Sequence, residues 1–349
     1  MSRYRPDPVR GYALRPGAAG VWTREGRGRV SINREGLRDQ DHSRQPRPGV
    51  LRVAVLGDSF SEALQVDLDQ TWWKQLERRL NATPGCSFQE EFPGGVEIVN
   101  FGVGGYGTGQ ELLTWREQAR HFGPQKVLLA MFLGNDIQDN TPTARPDGPV
   151  FRLGPRESLV MDNSFLHSPA TRFRLSPPGQ LFDALVNQSV LLQLANEAKN
   201  RWAASRRPAA QSASKLPVLA EDAPEGWTVT ARLLKTLRDE VRATGAQLVV
   251  TSLSTPEQLW PDRQARQRAF AQAGQRPFGR EERLRSLLDP LGVPYVPLAQ
   301  AMQLQADRQG LVLHGFPGPQ AGQGHWNPRG HALAADLLAQ RLCALGAPR

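Results

Sequence analysis

The chain has 349 residues, of which 39% are hydrophobic, and this length and composition allow one large globular domain or two. The net charge of +9 comes from Arg-rich segments scattered along the chain. They lack the interleaved aromatic residues of a base-stacking surface, so we expect no nucleic-acid partner. No stretch approaches the ~20 apolar residues of a membrane helix, so no membrane span is predicted in this chain.

Cys86 and Cys343 are too few for a disulfide framework and lie in neither a C-x-x-C pair nor a metal-ligand cluster. Two cysteines in this arrangement do not indicate whether the protein works in a reducing or an oxidising compartment. The N-terminus lacks the apolar core of a signal peptide, so the sequence as given predicts a cytoplasmic protein.

Residues 1–49 are rich in Gly, Pro and Arg, and short alternating pieces predict a β-rich N-terminal extension. From residue 50 to 345, apolar runs alternate with segments of helical periodicity. Because such runs are typical of strands buried on both faces, we expect an α/β domain with a central parallel sheet. The predicted strands are Leu51–Leu56, Val96–Phe101, Val127–Leu133, Gln247–Leu253 and Val293–Leu298.

Three helices have clear signals. Asp67 to Leu80 begins with an acidic residue and ends with arginines, in the order that the helix dipole favours. Thr230 to Ala243 has leucines at three- and four-residue spacing and meets Gly245 as a C-terminal cap. Asn327 is the expected N-cap of the last helix, with Pro328 at its first position.

The alternation of strands and helices breaks between residues 137 and 225, so we predict an insertion there. It contains an apolar helical piece from Leu181 to Ala198. Residues 203–224 consist largely of Ala, Ser, Arg and Pro without apolar periodicity, which predicts a flexible linker.

Ser59 follows the first predicted sheet strand, at the edge of a parallel sheet where ligands bind. A Ser in this place is also an ordinary helix N-cap. Ser61 stands where the nucleophile elbow G-x-S-x-G requires its second Gly, which argues against the α/β-hydrolase fold.

Gly102, Gly104 and Gly107 follow the second strand and satisfy G-x-G-x-x-G. A dinucleotide site should instead follow the first strand of its unit, with an acidic residue ending the next strand, whereas here the next strand ends at Leu133-Gly134-Asn135. Glycine also permits a close approach in which a backbone N–H donates to a developing oxyanion.

Asn135 ends the third strand, so its amide can donate to an oxyanion at the same sheet edge, although Asn after Gly is also ordinary turn chemistry. His325 precedes the last helix and is the candidate base. A metal site of His325 and His331 is disfavoured, because the helix begins between them and no third ligand is local. His331 is expected to pack or hydrogen-bond near the helix start.

At these residues the chain resembles the SGNH hydrolases, also called the GDSL esterase and lipase superfamily, and closely resembles the bacterial branch with Leu-Gly-Asp-Ser-Phe-Ser-Glu-Ala. The four motif positions of the family correspond to Ser59, Gly105, Asn135 and His325, in this order. The resemblance covers roughly Leu51 to Leu342 without the insertion. Because relatives in this branch are often exported or membrane-anchored through an N-terminal segment, the resemblance implies an exported or membrane-anchored protein as the alternative localisation if the N-terminus is truncated.

This resemblance implies a flavodoxin-like three-layer α/β/α sandwich. It also implies that Ser59 attacks an ester carbonyl and that His325 accepts the serine proton. The oxyanion would be held by the backbone N–H groups of Ser59 and Gly105 and by the Asn135 side chain, and no cofactor would be required.

The chain departs from the family at the acid, since the family usually has an Asp three residues before the His and here this position is Gly322. Three interpretations stay open. Gln323 or a backbone carbonyl orients His325, a distant carboxylate such as Asp307 replaces the acid, or the protein is a weakened or non-catalytic descendant.

The expected activity is hydrolysis of short-acyl carboxylic esters through an acyl-serine intermediate, with a small-molecule or glycan ester as substrate. The glycan preference comes from the family alone, because Trp72 and Trp73 are expected in the core rather than on a sugar-binding surface. The alternatives are a non-catalytic glycan-binding relative and an acyltransferase that uses the same serine.

Overall fold

The computed structural model describes residues 3–141, 148–189, 191–192, 223–318 and 321–345. Its strands are β1 Tyr4–Asp7, β2 Gly11–Leu14, β3 Ala19–Trp22, β4 Gly28–Ser31, β5 Leu51–Gly57, β6 Val96–Asn100, β7 Lys126–Phe132, β8 Val150–Leu153, β9 Leu159–Asp162, β10 Gln247–Leu253 and β11 Tyr295–Pro297. Its α-helices are α1 Ser59–Glu62, α2 Trp72–Ala82, α3 Thr108–Glu117, α4 Asp136–Asp139, α5 Pro169–Leu175, α6 Pro177–Gln188, α7 Pro224–Ala243, α8 Arg263–Gln272, α9 Gly279–Leu288, α10 Ala299–Gln309 and α11 Pro328–Leu345.

The central sheet contains all five predicted sheet strands. They pair in parallel in the spatial order β11-β10-β7-β5-β6. Numbered along the chain, this is the order 2-1-3-4-5 in reverse, which is the flavodoxin-like arrangement. The expected flavodoxin-like α/β fold with a central parallel sheet is therefore confirmed.

Apolar strand residues alternate between the two faces of the sheet. Ala54 and Leu56 pack into the core under α3, α7 and α9, whereas Val53 and Val55 pack into the core under α2, α10 and α11. Because both faces are covered, the strands read as continuous apolar runs rather than as alternating patterns. The result is a three-layer sandwich.

Most of the predicted helix ends agree with the structure. Asn327 caps α11, since its side-chain oxygen accepts from the N–H groups of Arg329 and Gly330. Gly245 has φ +81° and follows Thr244, the C-cap residue of α7, so it ends this helix in the left-handed conformation. Two starts were predicted wrongly: α2 begins at Trp72 after the cap Thr71, and α7 begins at Pro224.

The N-terminal extension forms two antiparallel hairpins, β1–β2 and β3–β4. Its apolar side chains build a small core of their own. Leu14 and Ile32 from the extension are buried there against Leu64 and Tyr106 of the sandwich. The extension is thus packed on the loops that follow β5 and β6.

The described part of the insertion contains the hairpin β8–β9 and the helices α5 and α6. The predicted helical piece Leu181–Ala198 overlaps α6, and residues 193–198 lie outside the described residues. Most of the predicted linker, residues 203–222, also lies outside them. In the part of the chain that the structure describes, no helix is long and apolar enough to cross a membrane.

Cys86 and Cys343 form a disulfide bond, with their Cα atoms 4.7 Å apart. It joins the segment after α2 to the end of α11, across 257 residues of sequence. This pair was not predicted, because two cysteines at such a separation have no characteristic spacing.

Candidate active site

Ser59 lies where β5 ends and begins the one-turn helix α1. Asp58 caps this helix, and its side chain accepts from the Phe60 N–H at 2.9 Å. Asp58 is fully buried, and this burial raises the pKa of its carboxyl to about 6. Ala63 ends the turn in the left-handed conformation, at φ 50°. The short turn holds Ser59 half-buried at the carboxyl edge of the sheet.

Ser59 and His325 are in direct contact. Oγ of Ser59 lies 2.8 Å from Nε2 of His325, and it lies 3.3 Å from Oδ2 of Asp58. Because a hydroxyl has one proton, the shorter contact with the imidazole is the stronger partner. The His325 ring also packs against the Phe60 ring, with centroids 4.8 Å apart. The loop before α11 therefore returns to the sheet edge as expected.

Glu25, which was not predicted as a site residue, contacts the other side of the imidazole. Its Oε2 lies 2.6 Å from His325 Nδ1, and its Oε1 accepts from the His325 backbone N–H at 3.0 Å. Burial would raise the pKa of this carboxyl, but the hydrogen bonds from His325 outweigh burial and hold the pKa below its ordinary value. Glu25 is therefore a carboxylate that fixes the ring by two contacts.

Neither Asp307 nor Gln323 nor a backbone carbonyl orients Nδ1 of His325 in the structure, which corrects these predictions. Asp307 is occupied elsewhere, since both its oxygens bind the Arg266 guanidinium at 2.6 and 3.1 Å. The His325 Nδ1 that Gln323 or a backbone carbonyl would have to orient is taken by Glu25. A carboxylate is thus present in the place where the family's Asp is missing.

Gly324 is the one local signal that could have pointed to Glu25. It has φ +71°, and a Cβ at this position would overlap Oε1 of Glu25. The backbone beside His325 therefore leaves room for a carboxylate that arrives from another part of the chain.

The turn that carries Glu25, between β3 and β4, belongs to an extension anchored by Arg38. The Arg38 guanidinium is fully buried and donates to the carbonyl oxygens of Glu62, Ala63 and Val66 at 2.5–2.6 Å. Burial lowers the pKa of Arg38 to about 10, and the group stays a cation at neutral pH. The extension is thereby fixed to the end of α1, three residues from Ser59.

The glycine loop after β6 lies against the same helix. The Gly104 N–H donates to Oε2 of Glu62 at 2.5 Å, and a Cβ on Gly104 would lie 2.5 Å from this oxygen. Tyr4 of the extension donates to Glu62 at 2.8 Å. The next residue, Gly105, has φ +79°. The glycines here allow a close approach of the backbone to α1.

Asn135 follows β7, the strand on the other side of β5. Its side-chain amide donates to Oδ2 of Asp139 at 2.6 Å, which uses one of its two amide hydrogens. The ring of Phe132, at the end of β7, stacks on Phe60 with centroids 4.4 Å apart. Gly105 and Asn135 thus follow the two strands that flank the strand of Ser59.

The other singled-out residues lie in the core. His331 is buried, accepts from the Trp72 N–H at 3.2 Å and has its pKa lowered by burial to about 3, so the packing role expected for it is confirmed. Trp72 and Trp73 are fully buried and donate to the carbonyls of Phe60 and Ser61. They support α1 and offer no stacking surface. Among the described residues, no cluster of His, Cys, Asp and Glu is suited to a metal ion.

No protein-family model matches the chain, and no curated protein matches it. Several solved structures are similar to the chain. An acetyl xylan esterase is 10% identical, with a TM-score of 0.42 over 83% of this chain and 99% of its own. A catalytic variant of an acetylxylan esterase from Geobacillus stearothermophilus is 12% identical, with a TM-score of 0.42 over 84% and 94%. A lipase/acylhydrolase from Enterococcus faecalis is 12% identical, with a TM-score of 0.40 over 86% and 98%.

The strand order of the sheet shows the fold class of this chain. The contacts among Glu25, His325 and Ser59 are the basis for the reaction proposed below.

Proposed function

We propose that the protein is a serine ester hydrolase with Ser59 as nucleophile, His325 as general base and Glu25 as the acid of the triad. The observation that carries this proposal is the continuous chain of contacts from the Glu25 carboxylate through both ring nitrogens of His325 to Ser59 Oγ, at 2.6 and 2.8 Å. Both distances are within hydrogen-bond reach, which is the geometric requirement for an activated serine.

In the first half of the reaction, Ser59 Oγ attacks the ester carbonyl carbon while Nε2 of His325 takes the serine proton. The resulting imidazolium donates this proton to the leaving alcohol, and an acyl-serine remains. In the second half, His325 takes a proton from water while the water oxygen attacks the acyl carbon. The bond between the acyl carbon and Ser59 Oγ then breaks, the imidazolium returns the proton to Oγ, and the carboxylic acid leaves. Glu25 keeps Nδ1 protonated and stabilises the transient imidazolium.

The negative charge on the carbonyl oxygen needs donors at the sheet edge. The backbone N–H groups of Ser59 and Gly105 and the second amide hydrogen of Asn135 are the proposed donors. Each such donor contributes about 3 kcal/mol of transition-state stabilisation in comparable sites. Glu62 supports this role indirectly, because it holds the Gly104 N–H and thereby the loop that carries Gly105.

The substrate class within this proposal is a short-acyl ester, including O-acetyl groups on carbohydrates, as the sequence resemblance implies. The presence of Glu25 weighs against the non-catalytic glycan-binding relative, since the missing acid was the reason to favour that alternative. An acyltransferase would use the same serine and would be recognised by acyl-sugar product when an acceptor sugar is added.

The test is labelling of the purified protein with a fluorophosphonate probe, read by intact mass, with 4-nitrophenyl acetate turnover in parallel. We expect one label per wild-type chain, and loss of labelling and turnover in Ser59→Ala and His325→Ala. His121→Ala is the matched control, because His121 is exposed and distant in sequence from the site. Absence of labelling and turnover in folded wild-type protein would refute the hydrolase.

We further infer from the disulfide between Cys86 and Cys343 that the protein works in an oxidising compartment. This inference favours the exported alternative over the cytoplasmic one. Thiol alkylation of protein isolated from its native host without reductant checks it: no alkylation of either cysteine is expected, and full alkylation of both would contradict the inference.

A further inference from the structure

A basic cleft of about 530 Å³ opens beside α7, α8 and α9. Three arginines line it, Arg276, Arg280 and Arg283, with Trp227 on its wall and Glu282 as the acidic residue of its lining. Its volume is in the range that holds a drug-sized molecule or a sugar unit. Positive charge thus exceeds negative charge in a concave surface that nothing in the proposed ester chemistry uses.

The cleft lies at the same edge of the sheet as Ser59. Arg280 donates to the carbonyl oxygen of Leu133 at 3.2 Å, and Leu133 is two residues before Asn135. The preceding residue, Phe132, stacks on Phe60. Phe60 itself is the neighbour of the nucleophile and touches the His325 ring. One continuous set of contacts therefore joins the cleft to the candidate active site.

The arginines are held for binding in different ways. The Arg283 guanidinium lies over the Trp227 ring, 4.7 Å from its centroid, and this contact restricts the direction of a side chain that lines the cleft. Arg276 pairs with Glu282 at 2.5 Å, but its side chain is 74% exposed, so this pair is weak and readily exchanged for another anion. Guanidinium groups match the oxygens of carboxylates and phosphates with two parallel hydrogen bonds.

We propose that this cleft binds an anionic group, a carboxylate or a phosphate, on the alcohol portion of the ester substrate. The protein then acts on esters of acidic molecules, such as acylated sugars that carry a charge on the same chain. This inference rests on the proposed function, because it assigns the substrate class of the same active site.

The kinetic test compares acetate release from partially O-acetylated oligogalacturonates with release from the same preparation after its carboxylates are converted to amides. We expect the double variant Arg276→Gln/Arg283→Gln to lower kcat/KM for the anionic substrate about tenfold. Release from the neutral substrate should stay within about twofold. The matched control is Arg268→Gln/Arg308→Gln, which removes two exposed arginines outside the cleft and the same net charge.

A binding test separates this inference from the proposed function. Isothermal titration calorimetry measures trigalacturonate and glucose 6-phosphate on wild-type protein, on the cleft variant and on the control. Binding of trigalacturonate that is lost only in the cleft variant supports a carboxylate ligand, and the same pattern with glucose 6-phosphate supports a phosphate. Equal binding to all three proteins, or no binding to the wild type, would overturn the proposed anion binding in the cleft, even if 4-nitrophenyl acetate is hydrolysed.

Discussion

Two segments lie outside the alternating strands and helices, and they differ in how they meet the rest of the protein. The N-terminal extension buries Leu14, Ile32 and Arg38 and places Glu25 on His325. The described part of the insertion carries α6, which leaves Leu181 and Leu185 more than half exposed. Both are irregular additions in the sequence, but the extension completes the candidate active site, whereas no contact of α6 with the triad is found in the described chain.

The difference follows from what each segment offers to the sandwich. Arg38 gives buried donors to three carbonyl oxygens around the end of α1, which are strong contacts in a dry environment. The insertion offers apolar side chains on its outer surface. The position of a residue in sequence therefore says little about its place in the site: Glu25 and His325 are 300 residues apart.

The largest effect is expected when the anchor of the extension is removed. Arg38→Met leaves the carbonyls of Glu62, Ala63 and Val66 without their donor, and we expect the free energy of unfolding to fall by about 3–5 kcal/mol. Urea denaturation measures this change. Arg34→Met is the control, since Arg34 is 71% exposed and should have an effect below about 0.5 kcal/mol. Equal effects of the two variants would show that the extension is not anchored by Arg38.

The ion pairs of His42 should also stabilise the extension, in a pH-dependent way. Burial alone would lower the pKa of His42, but its contacts with Asp39 and Glu97 outweigh burial and raise it to about 9. Because the pKa is raised on folding, the stabilisation is complete below the unfolded value of about 6.5 and is lost as the pH rises to about 9.

We therefore expect the free energy of unfolding to fall by about 2–3 kcal/mol between pH 6.5 and 9, with a clearly flatter dependence in His42→Gln. The exposed His121→Gln variant should follow the wild type. Parallel pH curves for the wild type and His42→Gln would contradict a raised pKa.

A single methyl group added at Gly324 should disturb the contact between the extension and the His325 loop. In Gly324→Ala the new methyl group displaces the Glu25 carboxylate, and we expect kcat for 4-nitrophenyl acetate to fall about 10–100-fold. Gly310→Ala is the control, because Gly310 also has positive φ but a Cβ there meets nothing within 4 Å. Should both variants retain full activity, the carboxylate would not need its present position.

The smallest effect is expected in the insertion. Leu185 is 51% exposed, so Leu185→Ala should change the free energy of unfolding by less than about 0.5 kcal/mol. The same substitution at Leu14, which is 2% exposed in the extension, should cost about 2–4 kcal/mol. Thermal unfolding of the two variants measures the contrast directly, and a reversed order would mean that the insertion, rather than the extension, is the packed segment.

The sequence was sufficient to predict the sheet and to predict that Ser59 and His325 lie at the same sheet edge. Apolar runs predicted the five strands because both faces of the sheet are buried, and Ser59 and His325 follow from a strand end and a capped helix start. It was not sufficient for Glu25, which lies in a turn without periodicity, or for the Cys86–Cys343 pair, whose separation has no pattern. Such contacts are made by tertiary packing and leave only indirect traces, such as Gly324.

The central claim is that Glu25 orients His325, and the most direct measurement is kcat/KM for 4-nitrophenyl acetate in Glu25→Gln beside Asp307→Asn. Both variants remove one carboxylate, and circular dichroism checks that both are folded. We expect a loss of ~10³–10⁴-fold in Glu25→Gln, because the imidazole loses its tautomer and orientation, and a change within about twofold in Asp307→Asn. A Glu25→Gln enzyme within about threefold of the wild type would contradict the claim.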